Sequence, residues 1–201
     1  MPIRIGRNTL IANHLVLTGY GSWLSNDPRG SGSVEVRKPE LWALGPAHFG
    51  RKAIQPPRAE LRAFHRAAEP LLDHDVAWFD AAARHVIAAA AERVVRERGY
   101  TCYAYCNCSN HTHMLNRAHR DEGTAMWQIM ADATRAALVA AGLFPTDHPV
   151  WASRPYVVRK TDVPAVERCV PYVEDNPEKE GLPRQTYQWV TQYDGWPSHR
   201  K

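Results

Sequence analysis

No stretch of the 201 residues approaches the roughly 18 uninterrupted apolar residues of a membrane span, so no transmembrane helix is predicted. A secretory leader is also missing. The amino-terminal apolar run is short and is broken by Asn13 and His14. The four cysteines, Cys102, Cys106, Cys108 and Cys169, are therefore predicted to lie in a reducing cytoplasm as free thiols. None of them forms the Cys-x2-Cys knuckle common in structural zinc sites. Strong charge bias is absent as well. A net charge of +4 and a pI near 9.0 suit a polyanionic partner, but so small an excess means that any nucleic-acid surface must come from local patches. With 44% hydrophobic residues the chain can bury one core, and a single domain over residues 1 to 201 is the simplest organisation.

The segment His14 to Tyr20 has the β-branched and aromatic content of a first strand. Residues 21 to 75, rich in Gly, Pro, Ser and Asn, read as a long insertion with one helix at Ala59 to Leu72. From Trp78 to Arg98, apolar residues recur at helical spacing and Gly99 supplies the stop. Strands follow at Thr101 to Cys106 and Thr112 to Arg117, joined by a turn at Asn107 to Asn110. A helix from Gly123 to Ala141 and a strand from Trp151 to Arg159 come next, then a short helix capped by Asp162 and closed by Asn176-Pro177 and Gly181. Residues 182 to 201 form an aromatic tail, able to fold back on the domain or to stack on bases. This order predicts an α+β fold of the ferredoxin-like kind, an antiparallel sheet with helices on one face.

Chemistry concentrates in two places. In Asn110-His111-Thr112-His113-Met114-Leu115 the histidines are two apart, and on a strand such residues share a face, which suits two imidazoles converging on one cation. Farther on, Tyr172 and Asn176 are four apart, the spacing that shares a helix face. Each has a plainer reading: two polar strand residues, a core tyrosine, an asparagine that stops a helix. Specificity lies in the combination.

His111-Thr112-His113 resembles the His-hydrophobe-His signature of HUH enzymes, and Val170-Pro171-Tyr172-Val173-Glu174-Asp175-Asn176-Pro177 resembles the nucleophile helix of REP-associated tyrosine transposases. The likeness extends to the first strand and to Asn26-Asp27-Pro28-Arg29-Gly30. It implies that Tyr172 is the nucleophile and that His111, His113 and Asn176 hold a divalent metal, Mg²⁺ or Mn²⁺. The implied substrate is single-stranded DNA folded as a hairpin, nicked and rejoined by transesterification through a 5′-phosphotyrosine. With one nucleophilic tyrosine implied per chain, the acting species is expected to be a monomer or a homodimer, in the cytoplasm and associated with the nucleoid.

Two positions depart from that family's pattern. Thr112 replaces the usual hydrophobe but remains compatible with a strand. Pro171 precedes Tyr172, and a proline inside a helix costs roughly 3 kcal/mol or more unless the helix kinks or restarts there. That feature favours an alternative reading as a DNA-binding protein that has lost catalysis. A further alternative is a zinc-stabilised binding domain built from Cys102, Cys106 and Cys108 with His111 or His113. For DNA contacts the candidates are Arg29, Arg154, Arg159, Lys160 and Arg168, with Trp151 and Tyr156 as stacking platforms. Tyr187 and Tyr193 are reserve nucleophiles.

Overall fold

The structure, a computed structural model, describes residues 9 to 197. The described chain divides into two compact units, residues 19 to 77 and the remainder. The larger unit carries the sheet. Its strands are β1 (Ala12–Thr18), β2 (Cys102–Asn107), β3 (His111–Arg117) and β4 (Tyr156–Lys160), in the order β2-β3-β1-β4 with every neighbour antiparallel. The smaller unit holds α1 (Arg58–Ala68), and the larger has α2 (Ala81–Arg98) between β1 and β2 and α3 (Gly123–Ala140) between β3 and β4. The predicted α+β class is the one found, and strand order and crossovers together make a βαββαβ core.

Strand alternation assigns the two sheet faces. Asn13, Leu15 and Leu17 of β1 share one face with Thr112, Met114 and Asn116 of β3, and α2 and α3 cover it. Asn13 Nδ2 lies 3.9 Å from Met126 Sδ, and Trp127 Nε1 donates to the Val16 carbonyl at 2.8 Å. The opposite face carries Ala12, His14, Ala104, Cys106, His113 and Leu115. There α4 (Val163–Glu174) buries Val166, Cys169 and Val173 in a core with Ala12, Ala104, Cys106 and Leu115. Helices on one face thus describes α2 and α3, while α4 lies across the other.

Local sequence explains most boundaries. The Asp80 carboxylate accepts from the Ala83 amide at 2.8 Å and starts α2, and Gly99, at φ 67°, ends it in the left-handed conformation that glycine adopts without strain. Asp162 accepts from the Ala165 amide at 2.7 Å and caps α4 as its position predicts. Pro171 does not split this helix in two. The helix runs from 163 to 174 with the proline on its exposed side, and Asp175 still donates to the Pro171 carbonyl at 2.9 Å. β1 begins two residues earlier than predicted. β4 starts only at Tyr156, because Val150 turns the chain at φ 63° and Trp151 enters the core, 4.8 Å from Phe79, with its indole donating to Thr134 Oγ1 at 3.0 Å. Trp151 is therefore a core residue and not a stacking platform.

β2 is an edge strand, and the tail runs along it. Gln185 brackets Asn107, accepting from its amide at 2.9 Å and donating to its carbonyl at 2.8 Å, while the Thr191 amide donates to the Cys102 carbonyl at 2.7 Å. Tyr187 and Trp189 lie against Tyr105, Tyr193 lies edge-on to Tyr103 at 4.9 Å, and Arg117 stacks over Trp196 at 4.1 Å. The tail folds back on the sheet and caps its open edge.

In the smaller unit, α1 is followed by a 3-10 turn at Glu69–Leu71, close to the predicted helix. Its centre is Asp27, whose side chain is fully buried. Arg29 grips it with Nε at 2.8 Å and a terminal nitrogen at 2.7 Å, and His65 approaches to 3.5 Å.

Candidate functional site: a tyrosine beside a histidine cluster

The sheet brings the two sequence motifs together. His111 and His113 project from the α4 face of β3, with ring centroids 4.8 Å apart. Thr112 between them faces the other way, buried, with its hydroxyl donating to Asn107 Oδ1 at 2.9 Å. Asn107 in turn donates to the Arg84 carbonyl, so the polar residue in the middle of the motif is satisfied inside the core. Tyr172 leaves the exposed side of α4 and sets its ring edge-on to His113 at 5.6 Å. It stays 49% exposed.

A third histidine completes the cluster. His14, on the neighbouring strand, meets His113 through Nε2···Nδ1 at 2.9 Å, with its ring 5.0 Å from that of His113 and 5.9 Å from that of Tyr172. Burial, reinforced by the charge of Lys160, pushes the His14 imidazole down to about 4, and burial first, then the neighbouring imidazoles and Lys179, hold His113 well below its ordinary value. Both rings are neutral near pH 7. One donates and the other accepts, which fixes the His113 ring and leaves its Nε2 for another partner. The sequence did carry a signal for His14, a titratable residue on a strand whose centre, Leu15 to Leu17, is apolar.

Asn176 opens α5 (Asn176–Lys179), one turn beyond Tyr172. Its amide nitrogen donates to the Tyr172 carbonyl at 2.6 Å, and its side chain is near enough to His111 to raise that imidazole's pKa. Lys179 places its ammonium 5.3 Å from the Tyr172 ring centre. His111 has further partners: Asn110 Oδ1 at 2.8 Å from Nδ1, and Glu180 Oε1 at 3.6 Å. Burial pulls its pKa down, but the neighbouring Cys108 and the Glu180 carboxylate outweigh this, and the net direction is up. Among the described residues, Cys108, His111 and Glu180 offer ligand atoms that lie within 4.8 Å of one another. Lys179, Glu180 and His14 are the neighbours that sequence spacing did not reveal.

The remaining candidates scatter. Lys160 lies on the His14 face of β4, where its charge acts on His14 and on Cys169. Arg168 is one helical turn before Tyr172, on the same side of α4. Arg159 points to the opposite sheet face, and Arg154 is exposed in the loop before β4. Arg29 is engaged by Asp27 and by Trp23, whose ring it overlies at 3.8 Å. Cys102 donates its thiol to the Ala104 carbonyl, and neither it nor Cys106 belongs to the Cys108 group. Tyr187 and Tyr193 donate their hydroxyls to Gln185 and to the Trp196 carbonyl, and burial raises the Tyr187 phenol to about 12. They are structural.

Fold and site together define an α+β protein with a half-exposed tyrosine on a helix laid across a histidine-bearing sheet. No known family model and no curated protein matches the chain. The solved structure of a REP-associated tyrosine transposase bound to a REP hairpin is similar, at 12% identity over 91% of this chain and 76% of that one, with a TM-score of 0.47. No helix among the described residues is long and apolar enough to cross a membrane.

Proposed function

We propose that the chain nicks and rejoins hairpin-forming single-stranded DNA, with Tyr172 as nucleophile. The observation that supports this best is the Tyr172 ring, half-exposed and set edge-on to the paired imidazoles of His113 and His14. The phenol oxygen attacks the scissile phosphorus, the bond to the 3′ oxygen breaks, and that oxygen leaves as a 3′-hydroxyl while the phenol proton passes to water. A 5′-phosphotyrosine retains the bond energy, so a 3′-hydroxyl can reverse the step without ATP. Lys179 and Arg168, on either side of Tyr172, are suited to hold the phosphates that flank the cut.

The donor chemistry fits a divalent cation. His113 keeps Nε2 while Nδ1 is held by His14, and His111 and the Asn176 amide oxygen supply the nitrogen and oxygen donors beside it. When bound, such an ion polarises the phosphodiester and offsets charge on the leaving oxygen. Incubating the protein with labelled hairpin DNA carrying a single-stranded flank, with Mg²⁺ or Mn²⁺, should give a denaturation-resistant protein–DNA adduct. Tyr172→Phe should abolish it. An adduct that persists in Tyr172→Phe overturns the assignment, and tight binding without any adduct in the natural sequence favours a DNA-binding role without catalysis.

A further inference from the structure

We propose that Cys108, His111 and Glu180 form a binding site for a thiophilic divalent cation of the Zn²⁺ or Co²⁺ type, with an open coordination position. Three donor types converge there from different parts of the chain, each ligand atom within 4.8 Å of the others. Cys108 and His111 bracket the turn between β2 and β3, which is closed by the Cys108 amide donating to the His111 carbonyl at 2.8 Å. Their separation is therefore set by hairpin geometry. Glu180 arrives just beyond α5. Its Oε1 lies 3.6 Å from His111 Nδ1, and its Oε2 accepts from Ser109 Oγ at 3.2 Å, so the hydroxyl of the same turn orients the carboxylate.

The plainer account treats Cys108 as a small buried apolar residue and Glu180 as an ion-pair partner of His111. That account leaves the thiol's direction unexplained. Cys108 is fully buried, yet its sulfur lies within 4.8 Å of polar ligand atoms of His111 and Glu180 and does not simply face apolar neighbours. Asn110 Oδ1, hydrogen-bonded to His111 Nδ1 at 2.8 Å, orients the imidazole. Thiolate, imidazole and carboxylate together suit a borderline transition ion and disfavour Mg²⁺, which prefers oxygen ligands throughout. Three protein ligands with a fourth position open are the pattern of reactive zinc centres, whereas structural ones are closed by four. Glu180, its side chain 32% exposed, gives that position access to solvent. The ion would lie beside His111, one imidazole removed from the ring that touches Tyr172.

This inference shares His111 with the cation of the proposed reaction but does not rest on the phosphotyrosine chemistry, and its test needs no DNA. Co²⁺ titrated into the chelator-treated full chain should produce a near-ultraviolet thiolate-to-cobalt absorption band, displaced by one equivalent of Zn²⁺ and unaffected by excess Mg²⁺. Cys108→Ser should remove the band, Cys106→Ser should keep it, and Glu180→Gln should weaken Co²⁺ binding by about tenfold or more. Tyr172→Phe should leave the Co²⁺ spectrum unchanged while losing the DNA adduct, which separates the two proposals. Absence of the band in the natural sequence, its survival in Cys108→Ser, or unchanged affinity in Glu180→Gln overturns the site. Because Glu180 is partly exposed, that last variant decides the matter even if Cys108→Ser fails to fold.

Discussion

His14 shows how much one residue can organise. Its 2.9 Å contact with His113 links the side chains of two neighbouring strands, and it holds the ring against which Tyr172 rests. His14→Phe preserves volume but leaves a buried imidazole nitrogen without a partner, which costs about 1–3 kcal/mol; urea unfolding should show that loss. The pH dependence has a definite sign. Folding lowers the His14 pKa from 6.5 to about 4, so between those values the unfolded chain binds more protons. Stability should therefore fall as pH drops from about 6.5 towards 4, and the fall should be shallower in His14→Phe. A pH–stability profile identical to that of the natural sequence would mean that the pair contributes nothing. The pairing of His14 was not legible in the sequence, because it joins residues 99 positions apart and depends on strand register.

At the scale of elements, local signals were read well where they act locally. Asp162, Gly99 and the helical spacing of α2 and α3 marked real boundaries, because caps and amphipathic periodicity operate within one turn of helix. β4 starts later than strand propensity predicts because Trp151 takes a core position. Gly123 makes the docking of α3 testable. A methyl group there would meet Val157 Cγ1 at 2.7 Å and Asn13 Oδ1 at 2.8 Å, close to the sheet. Gly123→Ala should lower stability by about 1–3 kcal/mol despite alanine's better helix propensity, as thermal unfolding would register. Asp162→Ala should cost about 1 kcal/mol and fray the helix that carries Tyr172.

For the whole molecule, the tail decides whether the β2 edge of the sheet is open. Deleting residues 185 to 201 removes the Gln185 side-chain amide that pairs with the Asn107 backbone and the Thr191 amide that pairs with the Cys102 carbonyl, and uncovers Tyr103 and Tyr105. The shortened chain should aggregate at concentrations where the full chain stays dispersed, as light scattering would record. Aromatic composition alone left both fates of this tail open. Its contacts resolve the matter through pairing with β2, a relation between distant segments that no local pattern encodes. α4 has a consequence of another kind. Val166, Cys169 and Val173 rivet it to the sheet, so the phenol it carries travels on a fixed platform. Under the proposed chemistry, successive cleavages then require the nucleic acid to be threaded past a stationary oxygen, and the choice of cut site rests with how the strand is fed.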